Sequence, residues 1–230
     1  MQVIPILLAM AMVAAGYFSV LCATPPNTSK PVDRHHNDRV GFAAGKFPAI
    51  ARRITLATVI YHALLAVVPP TAGMMQVCPQ PQNINPELFA WNAWSTISLL
   101  LIFIGAYIRL SAYGGLGKNF TFHLMTPDHL VTTGVYSWVQ HPSYTGAGLV
   151  CIGAASLFMR WDAAPACMIP ESVLARLQGW GLATTVALLT VAFGAFGIRV
   201  RDEEDMLRER FGPQWEKWHQ STKRFIPGLI

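Results

Sequence analysis

The chain has 230 residues, of which 53% are hydrophobic and 13% charged, with a mean hydropathy of +0.37 and a net charge of +5 at pH 7. A soluble domain carries about 25% charged residues, so the composition excludes an ordinary water-soluble fold and points to an integral membrane protein. The length holds four to six spans and no separate soluble domain. There is no internal repeat or low-complexity tract, and nothing calls for a nucleic-acid partner.

Five segments are apolar enough to cross a bilayer as helix, which takes about 20 residues. They are Val3–Leu21, Ile54–Val68, Trp91–Leu110, Tyr144–Met159 and Val173–Ile198. The second and fourth are short. Tyr61, Trp161 and Trp180 sit where interfacial rings extend a span. Alternatively, the fourth segment is half of a tight helical hairpin with the fifth. No segment alternates apolar and polar residues with period two, and an open sheet edge cannot face lipid. The fold class is therefore all-α: a polytopic membrane protein of about five transmembrane helices with a polar C-terminal segment.

Met1–Ala23 reads as a retained span. It lacks a basic leading region, and its apolar run is longer than that of a usual signal peptide. The Cys22–Arg53 stretch then carries Lys30, Arg34, Arg39, Lys46, Arg52 and Arg53. The loop Pro69–Ala90 has no Lys or Arg, and the loop after the third span has Arg109 and Lys118. Arg160 and Arg176 stand alone between the last two segments, and seven cations follow Ile198. With the N-terminus outside, fifteen of the seventeen cations face the cytoplasm, as the positive-inside rule requires.

The polar Pro25–Pro48 stretch reads as a solvated loop. His35 and His36 within it have no second ligand pair at helical spacing, so no metal site is expected. Pro69–Pro86 reads as a loop on the far side without chemistry. Cys22, Cys78, Cys151 and Cys167 form no metal-spaced pair and read as small buried hydrophobes.

Two polar, ring-rich motifs stand out against this background. The third span ends in Ser111–Gly117, with three glycines in four positions. Glycine there permits positive φ and close approach of another group. Downstream lies HLVTTGVYSWVQHPSYTG, from His129 to Gly146. Thr133 and Gly134 suggest a turn. The residue before Pro142 is pushed out of helical geometry, which sets His141 at the mouth of a helix with Pro142 in its first turn. Free N–H groups at such an end suit a carboxylate. Tyr136, His141 and Tyr144 can stack a base or enclose a cation. The second motif runs from Arg199 to Trp218. Arg199 and Glu203 are spaced i, i+4 and share a helix face with Leu207 and Phe211. Gly212 and Pro213 end the helix. Charges at the membrane end of a span are costly unless used, which singles out Arg199 and Glu203. The outer cations read as a solvated amphipathic tail.

The first motif resembles the signature of the isoprenylcysteine carboxyl methyltransferase family, a pattern close to L-V-T-x-G-x-Y-x-x-x-R-H-P-x-Y-x-G. The Arg199-x-x-x-Glu203-x-x-x-Leu207-x-x-x-Phe211-Gly212 spacing is similar to that family's C-terminal signature. The resemblance covers about Asn119–Pro227, and the family's usual Arg is replaced here by Gln140. It implies one membrane methyltransferase domain, with residues 1–110 as N-terminal spans and 111–230 as the cofactor- and substrate-binding core. It implies methyl transfer from S-adenosylmethionine to the C-terminal carboxylate of prenylated cysteine, with CaaX-type proteins or peptides as partners after proteolysis. The implied location is the endoplasmic reticulum membrane, with the site facing the cytoplasm. His129, Leu130, Val131, Tyr136, His141 and Tyr144 are the implied cofactor contacts. Arg199 and Glu203 are implied at the acceptor, with Arg199 pinning the carboxylate and Glu203 holding its fork. No metal is implied. The residues also leave open a phospholipid amine N-methyltransferase, a membrane sterol reductase or an inactive membrane scaffold. Gln140 favours the scaffold, whereas the methyltransferase reading expects Gln140→Arg to be tolerated.

Overall fold

The computed structural model describes residues 3–29, 34–36, 38–44, 47–68, 72–177 and 180–228. Lys30, Lys46 and Pro69, used above in the charge and loop readings, lie outside them. The described residues form helices and connecting loops, with no strand beyond three isolated bridges. Helix α1 spans Val3–Cys22 and stops before the Pro25–Pro26 pair, since the residue before a proline avoids helical geometry. Helix α2 spans Phe47–Val67, with Pro48 in its first turn, and α3 spans Ala72–Val77. Helix α4, Ala93–Leu116, starts on a reciprocal cap. Asn92 Oδ1 accepts the Ser95 N–H at 2.9 Å, and Ser95 Oγ accepts the Asn92 N–H at 3.1 Å. Helix α5 is Pro142–Leu157, α6 is Glu171–Leu177, α7 is Trp180–Phe211 and α8 is Pro213–Ser221.

Helices α1, α2, α4 and α7 are long and apolar enough to cross a membrane. The chain is thus an all-α polytopic membrane protein. Helix α5 has 16 residues and falls short of that length. The described part of the last span begins at Trp180, and Glu171–Leu177 before it is also helical. On α7, Leu182, Val186, Leu188 and Val191 are all exposed, a surface compatible with lipid and not with water.

The described chain divides into two compact units. The first comprises Met1–Val20, Arg52–Phe103 and Leu149–Thr190. Its core joins Leu8, Met12 and Ala15 of α1 to Val59 of α2, Leu99 and Ile102 of α4, and Leu157 at the end of α5. Small residues bring these helices close: a Cβ on Gly153 would lie 2.6 Å from the Ser98 carbonyl oxygen. Ser98 and Ser156 hydroxyls meet at 2.9 Å. In the loops, Asp162 takes a two-pronged bond from Arg160, at 2.7 and 2.6 Å.

Cys78 and Cys167 form a disulfide across 89 residues, which corrects the reading of these two as small buried hydrophobes. Spacing alone could not show it, because two loops distant in sequence must first fold together. The bond joins the Pro69–Pro86 loop to the short turn Ala164–Met168.

The second unit comprises Leu21–Ala51, Ile104–Gly148 and Val191–Ile230. It holds thirteen of the seventeen Lys and Arg residues, the others being Arg52, Arg53, Arg160 and Arg176. Both ring-rich motifs lie in it.

Candidate active site

Local geometry in the second unit follows its glycines. Helix α4 continues through Gly114 and Gly115, and only Gly117 takes the left-handed conformation, at φ +53°. The glycine-rich run is therefore mostly helix. Gly115 provides the close approach: a Cβ there would stand 3.2 Å from the Tyr136 ring. Gly134, at φ +62°, opens the 3-10 turn Gly134–Ser137 that carries Tyr136. Tyr136 is buried, and its hydroxyl donates to the Ala112 carbonyl at 3.3 Å. Burial and the nearby Glu203 charge push the Tyr136 phenol far above its usual range, so it stays neutral.

Helix α5 begins at Pro142, and His141 is buried at its mouth as expected. Tyr144 and Thr145 N–H groups both donate to the His141 carbonyl, so the helix start is closed by its own chain rather than offering those donors to an anion. Gly146 lets α5 lie against α4: a Cβ there would be 2.5 Å from the Gly105 carbonyl oxygen and 2.7 Å from the Arg109 nitrogen. Arg109 ties this junction, donating to the Ser143 carbonyl at 2.9 Å and to its hydroxyl at 2.8 Å.

The two motifs meet here. The Tyr144 hydroxyl donates to Glu203 at 3.0 Å, and His141 Nε2 donates to Glu204 at 3.2 Å. Arg224 holds Glu204 by a two-pronged pair at 2.7 and 2.9 Å. With Nε2 on a carboxylate, His141 Nδ1 is left buried with no hydrogen-bond partner among the described residues. Such an orphaned atom is a place for a ligand to bond.

Arg199 is buried on α7. Its guanidinium is bonded to Asp38 and donates to the Phe122 carbonyl at 3.0 Å. Asp38 also accepts the Leu124 N–H at 2.9 Å. Burial opposes ionisation of Asp38, but the Arg199 bond, the Leu124 N–H and the Arg199 charge outweigh it and hold the carboxyl below its usual range. A second pair joins the same two segments with the charges exchanged: Arg39 Nε donates to Asp202 at 2.7 Å. The Pro25–Pro48 stretch is therefore not simply solvated. The Arg34–Met125 bridge and the His35 N–H, which donates to the Leu124 carbonyl at 2.8 Å, also dock it. The carboxylate bonded to Arg199 is Asp38, while Glu203 accepts from Tyr144.

Among the residues singled out from sequence, Tyr136, His141, Tyr144, Arg199 and Glu203 fall in one polar neighbourhood, in which Tyr136, His141 and Arg199 are buried and Tyr144 and Glu203 half-buried. His129 is exposed beside the Lys118–Asp128 pair, and Val131 is half-buried. Leu130 packs with Leu124, Met206, Leu207 and Trp215 in an apolar cluster under α8. Asp38, Glu204 and Arg224 were not anticipated. Glu204 carried a weak signal, as a charge at the membrane end of a span. Asp38 carried none, since it lies far away in a loop.

Residues 97–179 match the family model described as the isoprenylcysteine carboxyl methyltransferase (ICMT) family. The chain resembles that family. It is 29% identical over 149 residues to a protein-S-isoprenylcysteine O-methyltransferase of Dictyostelium discoideum, covering 63% of this chain and 53% of that protein. It is 33% identical over 138 residues to one of Tribolium castaneum, covering 58% and 41%. A probable enzyme of that name from Oryza sativa subsp. indica is 28% identical over 146 residues, covering 62% and 65%. The chain thus spans about half the length of the curated relatives it matches. The His141-Pro142 pair lies within the matched region, while Arg199, Glu203 and Glu204 lie beyond it.

Proposed function

We propose that this chain is a membrane methyltransferase that esterifies the C-terminal carboxylate of prenylated cysteine, with S-adenosylmethionine as donor. The observation that carries the reading is the meeting of the His-Pro motif with the α7 acidic pair, through His141–Glu204 and Tyr144–Glu203. The relatives' names supply the substrate class.

The residues fit the proposed cofactor. His141 Nδ1 is a buried, unpartnered polar atom able to take an N–H or O–H of a nucleoside. Tyr136 and Tyr144 offer ring surface, and Glu203 and Glu204 supply negative charge suited to a cationic donor. When bound, S-adenosylmethionine supplies an electrophilic methyl group. A carboxylate is already ionised at neutral pH, with an ordinary pKa of about 4, so no general base is required of the chain. Its residues have to hold the acceptor in line and keep water out. Arg199 is the carboxylate anchor in this reading. A guanidinium carries five N–H groups, so the bonds to Asp38 and Phe122 orient the fork without exhausting it. An ammonium acceptor would need to lose a proton and would gain nothing from Arg199.

The proposed orientation puts the Lys- and Arg-rich part of the chain in the cytoplasm. Its cation excess agrees with the positive-inside rule. Disulfides such as Cys78–Cys167 persist on the oxidising side of a membrane. The endoplasmic reticulum satisfies both conditions. The deciding experiment is a membrane assay with labelled S-adenosylmethionine, offering N-acetyl-farnesylcysteine and phosphatidylethanolamine in parallel. Base-labile methyl ester on the prenylcysteine is expected. Stable N-methyl product, or no transfer at all, would reject the reading.

A further inference from the structure

Gln140, where the family pattern has Arg, is buried and fully engaged. Its Nε2 donates to the His219 carbonyl at 3.0 Å and also to the Thr222 carbonyl. Two carbonyl acceptors on one side fix which end of the amide is nitrogen. Oε1 must therefore face His219 Nδ1, 2.8 Å away. Facing an oxygen, Nδ1 has to carry the proton. Burial and the neighbouring Arg224 and Arg208 charges lower the His219 pKa, against Glu204 and Glu216. The ring is thus the neutral Nδ1–H tautomer, stacked on Trp215 with centroids 4.3 Å apart.

This contact starts a longer one. The Gln140 N–H donates to the Lys223 carbonyl at 2.8 Å, and the His141 N–H to the Arg224 carbonyl at 2.9 Å. Val139 and Lys223 form a parallel bridge. The Thr145 hydroxyl donates to the Phe225 carbonyl at 3.0 Å. Residues 219–225 therefore run as a strap along residues 139–145. The strap delivers Arg224 to Glu204, and Glu204 fixes the His141 ring and leaves its Nδ1 open.

We propose that Gln140 and His219 are a positioning pair: their donor–acceptor match seats the C-terminal strap, and the seated strap sets His141 for the cofactor. The pairing also accounts for glutamine at this position. An arginine could serve the two carbonyls but offers no acceptor to His219. Gln140→Arg is then harmful in this chain, contrary to what the family pattern alone suggests.

This rests on the cofactor role of His141 argued above. The test uses the full chain in detergent, with S-adenosylmethionine Kd by calorimetry and KM for N-acetyl-farnesylcysteine. His219→Asn keeps a donor where Nδ1 stands and should bind like wild type. His219→Ala should bind about tenfold more weakly, the size of one lost buried hydrogen bond. His219→Asp and Gln140→Arg should each be worse. The double variant Gln140→Arg/His219→Asp restores a donor–acceptor match and should recover most of the affinity. Acceptor KM should stay unchanged throughout. Wild-type affinity in His219→Asp, or no recovery in the double variant, would overturn the pairing. Parallel loss of cofactor Kd and acceptor KM would show a merely structural role and would also overturn it. Wild-type protein that transfers no methyl group at all would instead defeat the functional reading on which the pairing rests.

Discussion

Arg199 is held on one side by Asp38 and on the other by the Phe122 carbonyl. Its planar fork is what meets both. Arg199→Lys is therefore expected to fail nearly as badly as Arg199→Ala in ester formation. Loss of a dry charge-assisted pair costs about 2–5 kcal/mol, read as a fall in kcat/KM with cofactor Kd preserved. Glu203→Gln should be milder than Glu203→Ala, because the amide oxygen can still accept from Tyr144. Near-normal turnover in Arg199→Ala would remove the anchor. Asp38 adds a pH signature. Its folded pKa is lowered, so its contribution to stability is fully present above the unfolded value of about 3.9 and is lost as pH falls through the lower folded value. The gap in melting temperature between wild type and Asp38→Asn should thus be widest above that pH and close on acidification. A gap independent of pH would mean the pair is not the source. For the cofactor, His141→Ala should weaken binding. Tyr136 needs the gentler Tyr136→Phe, since truncating its buried ring would leave a cavity costing about 3–5 kcal/mol.

At the scale of elements, α4 and α5 touch at glycine. A Cβ on Gly146 meets backbone, the Gly105 carbonyl oxygen and the Arg109 nitrogen, which cannot step aside. One on Gly148 meets only the Phe193 ring edge at 2.9 Å, which can rotate. Gly146→Ala should therefore lower the melting temperature and yield far more than Gly148→Ala. Equal effects would deny that the helix contact is set by backbone approach. The same contrast shows what the sequence makes legible. Helix extents follow from apolar runs and prolines, so α1, the Pro142 start of α5 and the Gly212–Pro213 break were readable directly. The polar, ring-rich character of the two motifs was readable, but the Tyr144–Glu203 and His141–Glu204 pairings were not, because the sequence pairs Glu203 with Arg199 on one helix face and gives Glu204 no partner. Asp38 and His219 were not readable, because each is recruited from a polar segment by tertiary docking.

For the whole molecule, charge and covalent chemistry each bear on the proposed orientation. The second unit holds most of the Lys and Arg residues, and the first holds the disulfide. In the proposed orientation the Lys- and Arg-rich loops and tail face the cytoplasm by the positive-inside rule, and the disulfide calls for an oxidising compartment. The two arguments share no residue, so their agreement is not circular. Closing a loop of 89 residues stabilises by about 4–5 kcal/mol in the chain-entropy account, so Cys78→Ser should melt well below wild type. With the short α5 crossing as a fifth span, protease on sealed microsomes should remove a C-terminal tag and spare an N-terminal one. After reduction with a permeant phosphine, an impermeant maleimide should label Cys78 and Cys167 only once the vesicles are opened. Labelling in intact vesicles, or loss of the N-terminal tag, would invert the topology. It would also move the His141–Glu204 site to the side opposite the one that cytoplasmic prenylated proteins can reach.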